Sequence, residues 1–128
     1  MRTRLSLLCL TLLAACQTSS RPYAPVDTVR YSAIGGEPFW MVTIGDDRIV
    51  LRIGQAGSGV RDIAYPRTLP VTQGNLIRWQ SGQGTAVITV EARRMPAACE
   101  QGGRRYEDHV RVMLSGRVLE GCGGRLLR

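Results

Sequence analysis

The chain contains no lysine: all seventeen of its basic residues are arginine, set against ten acids. The glycine-rich stretch Gly54 to Gly59 therefore cannot work as a phosphate-cradling loop, which needs a lysine and a following helix. Histidine is nearly absent, with His109 alone. A zinc site would need more imidazole or thiolate ligands than the chain can assemble, and a Ser/His/Asp relay has no Gly-x-Ser-x-Gly elbow to carry its nucleophile. His109 shares strand parity with Arg111 and Met113, away from Val110 and Val112, and Asp108 beside it should face the opposite way. The paired acids Asp46-Asp47 and Glu107-Asp108 read as solvated carboxylates at turns or strand starts. No catalytic residue and no cofactor are expected. Aromatic residues are scarce too, with one phenylalanine (Phe39) and two tryptophans (Trp40 and Trp79). There is no internal repeat, heptad pattern, long charge block or twelve-residue amphipathic helix.

One apolar run stands out, Leu5 to Leu13, and it is too short to span a bilayer as a stable anchor. Arg2 and Arg4 precede it, and Ala14, Ala15 and Cys16 follow. Positive n-region, short apolar core, small residues and a cysteine, in that order, are the signature of a bacterial lipoprotein signal peptide. Residues 1–15 are expected to be removed, leaving Cys16 lipidated and the protein tied to a membrane through its N-terminal lipid. Gln17, where many inner-membrane lipoproteins carry Asp, favours the outer membrane, facing the periplasm. Residues 16–28, polar and with two prolines, read as a lipidated cysteine and flexible tether. Residues 29–128 then form the folded domain.

Within that domain the pattern is alternation. Ile49, Leu51 and Ile53 alternate with Arg48, Val50 and Arg52, and Val110, Val112 and Leu114 with Arg111, Met113 and Ser115. Phe39 to Ile44, Leu76 to Gln80 and Thr85 to Ala92 look similar. Turn signals separate them at Gly35-Gly36, Gly45-Asp46-Asp47, Gly54 to Gly59, Gly74-Asn75, Gly82 to Gly84 and Gly102-Gly103. The expectation is an all-β domain, a small antiparallel β-barrel or a sandwich, with the barrel preferred.

Of four cysteines, Cys9 falls in the signal peptide and Cys16 carries lipid. Cys99 and Cys122 remain, an even pair in an oxidising compartment, and read as a structural disulfide. Residues 16–128 keep a net charge of about +5, against +7 for the whole chain. Arg93-Arg94, Arg104-Arg105 and Arg125 with Arg128 gather in sequence around the two cysteines. In a bacterial envelope the anionic partners would be lipopolysaccharide phosphates or peptidoglycan carboxylates, or another envelope protein. The compartment excludes nucleic acid.

The most distinctive segment is Ala33-Ile34-Gly35-Gly36-Glu37-Pro38-Phe39-Trp40-Met41-Val42. Phe39 and Trp40 should face opposite sides of a strand, with Phe39 in the core and Trp40 either closing the barrel end or offered to a ligand. Glu37, Trp40, Arg104, Arg105 and Tyr106 are the candidate binding residues. Ala33-x-Gly35-x-Glu37-Pro38-Phe39-Trp40-x-Val42, with Cys99, Tyr106 and Gly116-x-x-Leu119-x-Gly121-Cys122-Gly123, resembles a family of small, largely uncharacterised bacterial envelope lipoproteins. The resemblance covers about residues 31–124 and implies a compact β domain bridged from Cys99 to Cys122. In place of the Asp-Gly-Met-Ser-like stretch that follows the first cysteine in family members, this chain has Glu100-Gln101-Gly102-Gly103-Arg104-Arg105. The chain is also loosely similar to β-barrel lipoproteins that inhibit c-type lysozyme, through lipid anchor, size, late disulfide and Gly102-Gly103-Arg104-Arg105-Tyr106. The expected function is a non-catalytic binding or structural role in the envelope, with inhibition of a cell-wall hydrolase as the alternative.

Overall fold

The computed structural model describes residues 26–55, 57 and 59–128. The expected signal peptide, the cysteine expected to carry lipid (Cys16) and most of the expected tether lie outside the described residues. Among those residues the chain is all-β. Four strands come first, β1 (Tyr31–Gly35), β2 (Trp40–Ile44), β3 (Arg48–Gln55) and β4 (Gly59–Pro66). They are followed by β5 (Val71–Gln73), β6 (Leu76–Gln83), β7 (Ala86–Gln101), β8 (Arg104–Leu114) and β9 (Arg117–Leu127). All belong to one antiparallel sheet in the order β4-β3-β2-β1-β9-β8-β7-β6-β5, curled into a half-barrel.

Every strand pairs with its neighbours in sequence except at one seam. Alternating directions outward from β1 and β9 makes β4 and β5 run the same way, so the chain passes from one to the other without turning back. Pro66 and Pro70 flank that passage, and neither has an N–H to donate to a neighbouring strand. Here β3 pairs with the first half of a long crossing segment and β6 with the second. The Ser81 hydroxyl donates to the Pro66 carbonyl at 2.6 Å and ties the two edges together.

Apolar residues alternate onto the concave side: Val42 and Ile44, Ile49 and Leu51, Ile88 and Val90, Val110 and Val112 are all buried. Burial of this aliphatic set supplies the main folding drive, at about 25 cal/mol per Å² of apolar surface. Curvature brings strands far apart in the sheet into contact. Tyr31 of β1 stacks on Trp79 of β6, ring centroids 4.8 Å apart, across the interior. At the same end, Asp27 accepts a hydrogen bond from the Asp46 amide and the Asp27 amide donates to Asp47, so the described residues before β1 rest on the β2–β3 turn.

Aromatic placement departs from the sequence reading. Trp40, not Phe39, belongs to the core: Trp40 is 1% exposed and Phe39 48%. Trp40 shares parity with Val42 and Ile44, which fixes it inward, while Phe39 precedes β2 on the bend after the cis Glu37-Pro38 bond.

The expected disulfide is present. Cys99 and Cys122 are bridged with their Cα atoms 5.5 Å apart. They lie on β7 and β9, which flank β8, where a flat sheet would hold them roughly 9.6 Å apart. The difference is taken up by irregular pairing. Between Arg94 and Cys99, four residues of β7 oppose the single Glu107 of β8. On the other side of β8, Gly124 and Arg125 of β9 oppose that same residue. Bulges bend a strand and sharpen its twist. The β7–β8 hairpin therefore folds back over the outward side of the sheet, where Ala97 O meets His109 Nε2 at 3.2 Å. At its tip, Gly102 and Gly103 both have positive φ (59° and 74°), the geometry of the primed two-residue turns that favour glycine.

Candidate functional site

Glu107 and Asp108, expected to be solvated, are the centre of a partly buried polar network. Asp108 is 3% exposed and lies in the middle of β8, not at its start. It shares parity with Val110 and Val112 and so points into the half-barrel at its Tyr31 end. Its Oδ2 accepts the Tyr31 hydroxyl at 3.0 Å, and its Oδ1 accepts Arg94 Nε at 3.2 Å. Glu107 takes the second arm of Arg94 at 2.8 Å and accepts the bulged Arg125 amide at 3.2 Å. A bulge leaves backbone donors unpaired, and here the Glu107 side chain satisfies one. Gly124 has φ +75°, and a Cβ there would press on Asp108 Oδ2, so both the bulge and the carboxylate need glycine at this position.

Burial, reinforced by the charge of Asp108 and its hydrogen bond, pushes the Tyr31 phenol far above its ordinary range. The folded state then holds the Tyr31 proton more tightly than the unfolded chain does. Its stabilising contribution is complete below the unfolded pKa of about 10 and is lost as pH rises above it. Tyr31→Phe is expected to cost about 1.5 kcal/mol at pH 7. It should also flatten the fall in urea midpoint between pH 9 and pH 11. An equally steep fall in the variant would mean that Tyr31 is not the titrating group.

Two cavities open beside this network and meet at Ile77, Arg94 and Asp108. One, of about 250 Å³, adds Thr72, Gly74 and Asn75; the other, of about 290 Å³, adds Tyr31, Ser32 and Arg125. Their charged walls are internally matched. Arg30 pairs with Asp46 at 2.7 Å, Arg125 with Glu107 at 3.4 Å, and Arg94 with both Glu107 and Asp108. The arrangement closes the end of the half-barrel and leaves no spare charge there.

Spare charge lies instead on either side of the folded-back segment 95–98. On one side Arg94, Arg105 and Arg125 line a cavity of about 260 Å³ with Glu107, Met95 and Leu127. Arg94 and Arg125 are paired, whereas Arg105 forms no ion pair among the described residues, although Glu100 stands opposite it in the β7–β8 register. On the other side lies a cleft of about 290 Å³ that contains Arg93, His109 and Met95.

Of the candidate residues read from sequence, only Trp40 is set apart from the rest. Arg104 and Arg105 are exposed at the start of β8, and Tyr106 is half-buried opposite Cys99. Glu37 is exposed on the bend before β2, whose Gly36 packs against the Gln101 side chain near the hairpin tip. The bend and the hairpin tip therefore adjoin. Trp40 takes no part in that surface. Its indole fills a slot between Gly35 and Gly121, where a Cβ on either glycine would collide with it. Ala33 pairs with Gly123 and Ile34 with Cys122, so the two halves of the distinctive motif meet as a packing unit. Tyr31, Arg94 and Asp108 were not identified from sequence. The only signal for Arg94 was its place in Arg93-Arg94.

No family model matches this chain, and neither a curated protein nor a solved structure shows significant similarity to it.

Proposed function

We propose that this chain is a lipid-anchored protein of the bacterial envelope whose half-barrel domain binds an anionic envelope component and catalyses no reaction. The observation that carries this reading is the cavity at the base of the β7–β8 hairpin. Three arginines converge there, and one of them, Arg105, is free to take an external anion. A guanidinium offers a planar fork that matches carboxylate and phosphate oxygens, and the disulfide holds the hairpin that presents it. Met95 and Leu127 add apolar surface beside the charge. The lipobox at Leu13-Ala14-Ala15-Cys16 and the resemblance of Ala33–Val42 and Gly116–Gly123 to envelope lipoproteins support the address.

Cys16→Ser should abolish acylation and release the protein from the membrane fraction; unchanged association would refute the anchor. The unacylated full-length Cys16→Ser chain can then be sedimented with lipopolysaccharide vesicles and with peptidoglycan sacculi. Retention on at least one is expected, weakened several-fold by Arg105→Gln and by added salt. Retention on neither, or retention indifferent to Arg105→Gln, would overturn the proposal.

A further inference from the structure

We infer that the outer cleft beside His109 is a separate binding site for a small monocarboxylate with an apolar body. It lies on the convex face, on the far side of Met95 from the Arg105 cavity, and measures about 290 Å³, the lower end of the range for small-molecule pockets. Its floor is two cross-strand rows. One is Glu91, Arg111 and Glu120 of β7, β8 and β9; the other is Arg93 and His109, with the bridged Cys122 next in register beneath them. Leu76 of β6, opposite Arg93, and Met95 at the start of the folded-back segment supply apolar walls. His109 donates its Nε2–H to Ala97 O, so the wall is fastened to the floor, and the Cys99–Cys122 bridge fixes both.

Charge selects the ligand. Glu91 is engaged by Arg78 at 3.1 Å, and Glu120 stands 3.6 Å from Arg111. Arg93 has no acidic partner among the described residues. With Arg78 counted, three guanidinium groups face two carboxylates, and a single positive charge is left over. A monoanion balances it. A phosphate dianion would overshoot and meet Glu91 and Glu120 at close range. The planar fork of Arg93 suits the two oxygens of one carboxylate, with the rest of the molecule against Leu76 and Met95. A free acid and the C-terminal end of a peptide both carry such a carboxylate.

The chain's single histidine makes the test direct, because its ring signals in a proton–carbon NMR spectrum cannot be confused with any other. The purified full-length protein is titrated with N-acetylleucine, with N-acetylleucinamide and with N-acetyl-alanyl-alanyl-leucine. The acids are expected to shift the His109 signals saturably, and the amide to bind at least tenfold more weakly. Arg93→Gln should weaken acid binding at least tenfold without moving the thermal midpoint, and Arg105→Gln should leave it unchanged. Tighter binding of the tripeptide acid assigns the site to a peptide end; tighter binding of N-acetylleucine assigns it to a free acid. Equal affinity for acid and amide, indifference to Arg93→Gln, or no saturable shift with either acid would overturn the inference. Sedimentation through Arg105 would stand in each of those cases, because it reads the other side of the folded-back segment.

Discussion

Removing the Cys99–Cys122 bridge, by reduction or as Cys99→Ala/Cys122→Ala, is expected to lower the thermal midpoint by roughly 15 °C or more. The bridged residues are 23 apart in sequence. Closing a loop of that length takes about 3.4 kcal/mol of conformational freedom from the unfolded chain in the entropy model. A domain of this size shifts by roughly 4–8 °C per kcal/mol. The native state has its own reason to depend on the bridge. Without it, the folded-back part of β7 keeps its pairing with the start of β8. The hairpin as a whole, however, is then fastened to the rest of the sheet by the Ala97–His109 contact, the Gln101 packing on Gly36 and the short pairing of Arg105 and Tyr106 with Leu127 and Leu126. Amide exchange in residues 95–101 should accelerate well before global unfolding. Calorimetry with and without reductant checks the first expectation, and equal midpoints would remove the bridge from the account of stability.

What could be read from sequence follows how local each cause is. The inward sets Ile49, Leu51, Ile53 and Val110, Val112 announced themselves because period-two alternation is a property of one strand. The parity of Trp40, Val42 and Ile44 carried the same signal, and weighing it would have put Trp40 inside and Phe39 outside. β9 has no such pattern. Gly121, Gly123 and Gly124 weaken its strand character, and what requires them lies elsewhere in the chain: Trp40, Ala33 and Asp108. Asp108 was hidden for the same reason. Its burial depends on Tyr31, 77 positions earlier, and on two bulges that no local pattern marks. Arg93-Arg94 read as one basic cluster. On a strand, neighbours face opposite sides, so Arg94 closes the half-barrel while Arg93 is left unpaired on the convex face. A cluster in sequence became two sites in space.

Trp40→Ala is expected to cost about 3–5 kcal/mol, the range for deleting a fully buried aromatic, and to bring the domain close to unfolding at 37 °C. The slot around the indole makes the expectation more specific than its burial alone. A Cβ at Gly35 would run into the Trp40 pyrrole edge and sit 2.8 Å from the Glu120 carbonyl. One at Gly121 would lie 2.7 Å from Trp40 Cζ2 and against the Ile34 carbonyl. Gly35→Ala and Gly121→Ala should each destabilise by about 1–3 kcal/mol through overpacking, read as urea midpoints. Their response to Trp40→Phe separates side-chain from backbone causes. Phenylalanine lacks the pyrrole edge, so Gly35→Ala should be milder in that background. Gly121→Ala should keep most of its cost, because its hardest contact is with the backbone of β1. Strict additivity at Gly35 would mean that the indole does not fill the slot. A coupled result would identify Gly35, Trp40 and Gly121 as one packing constraint joining β1 to β9, the pairing that unites the two arms of the sheet.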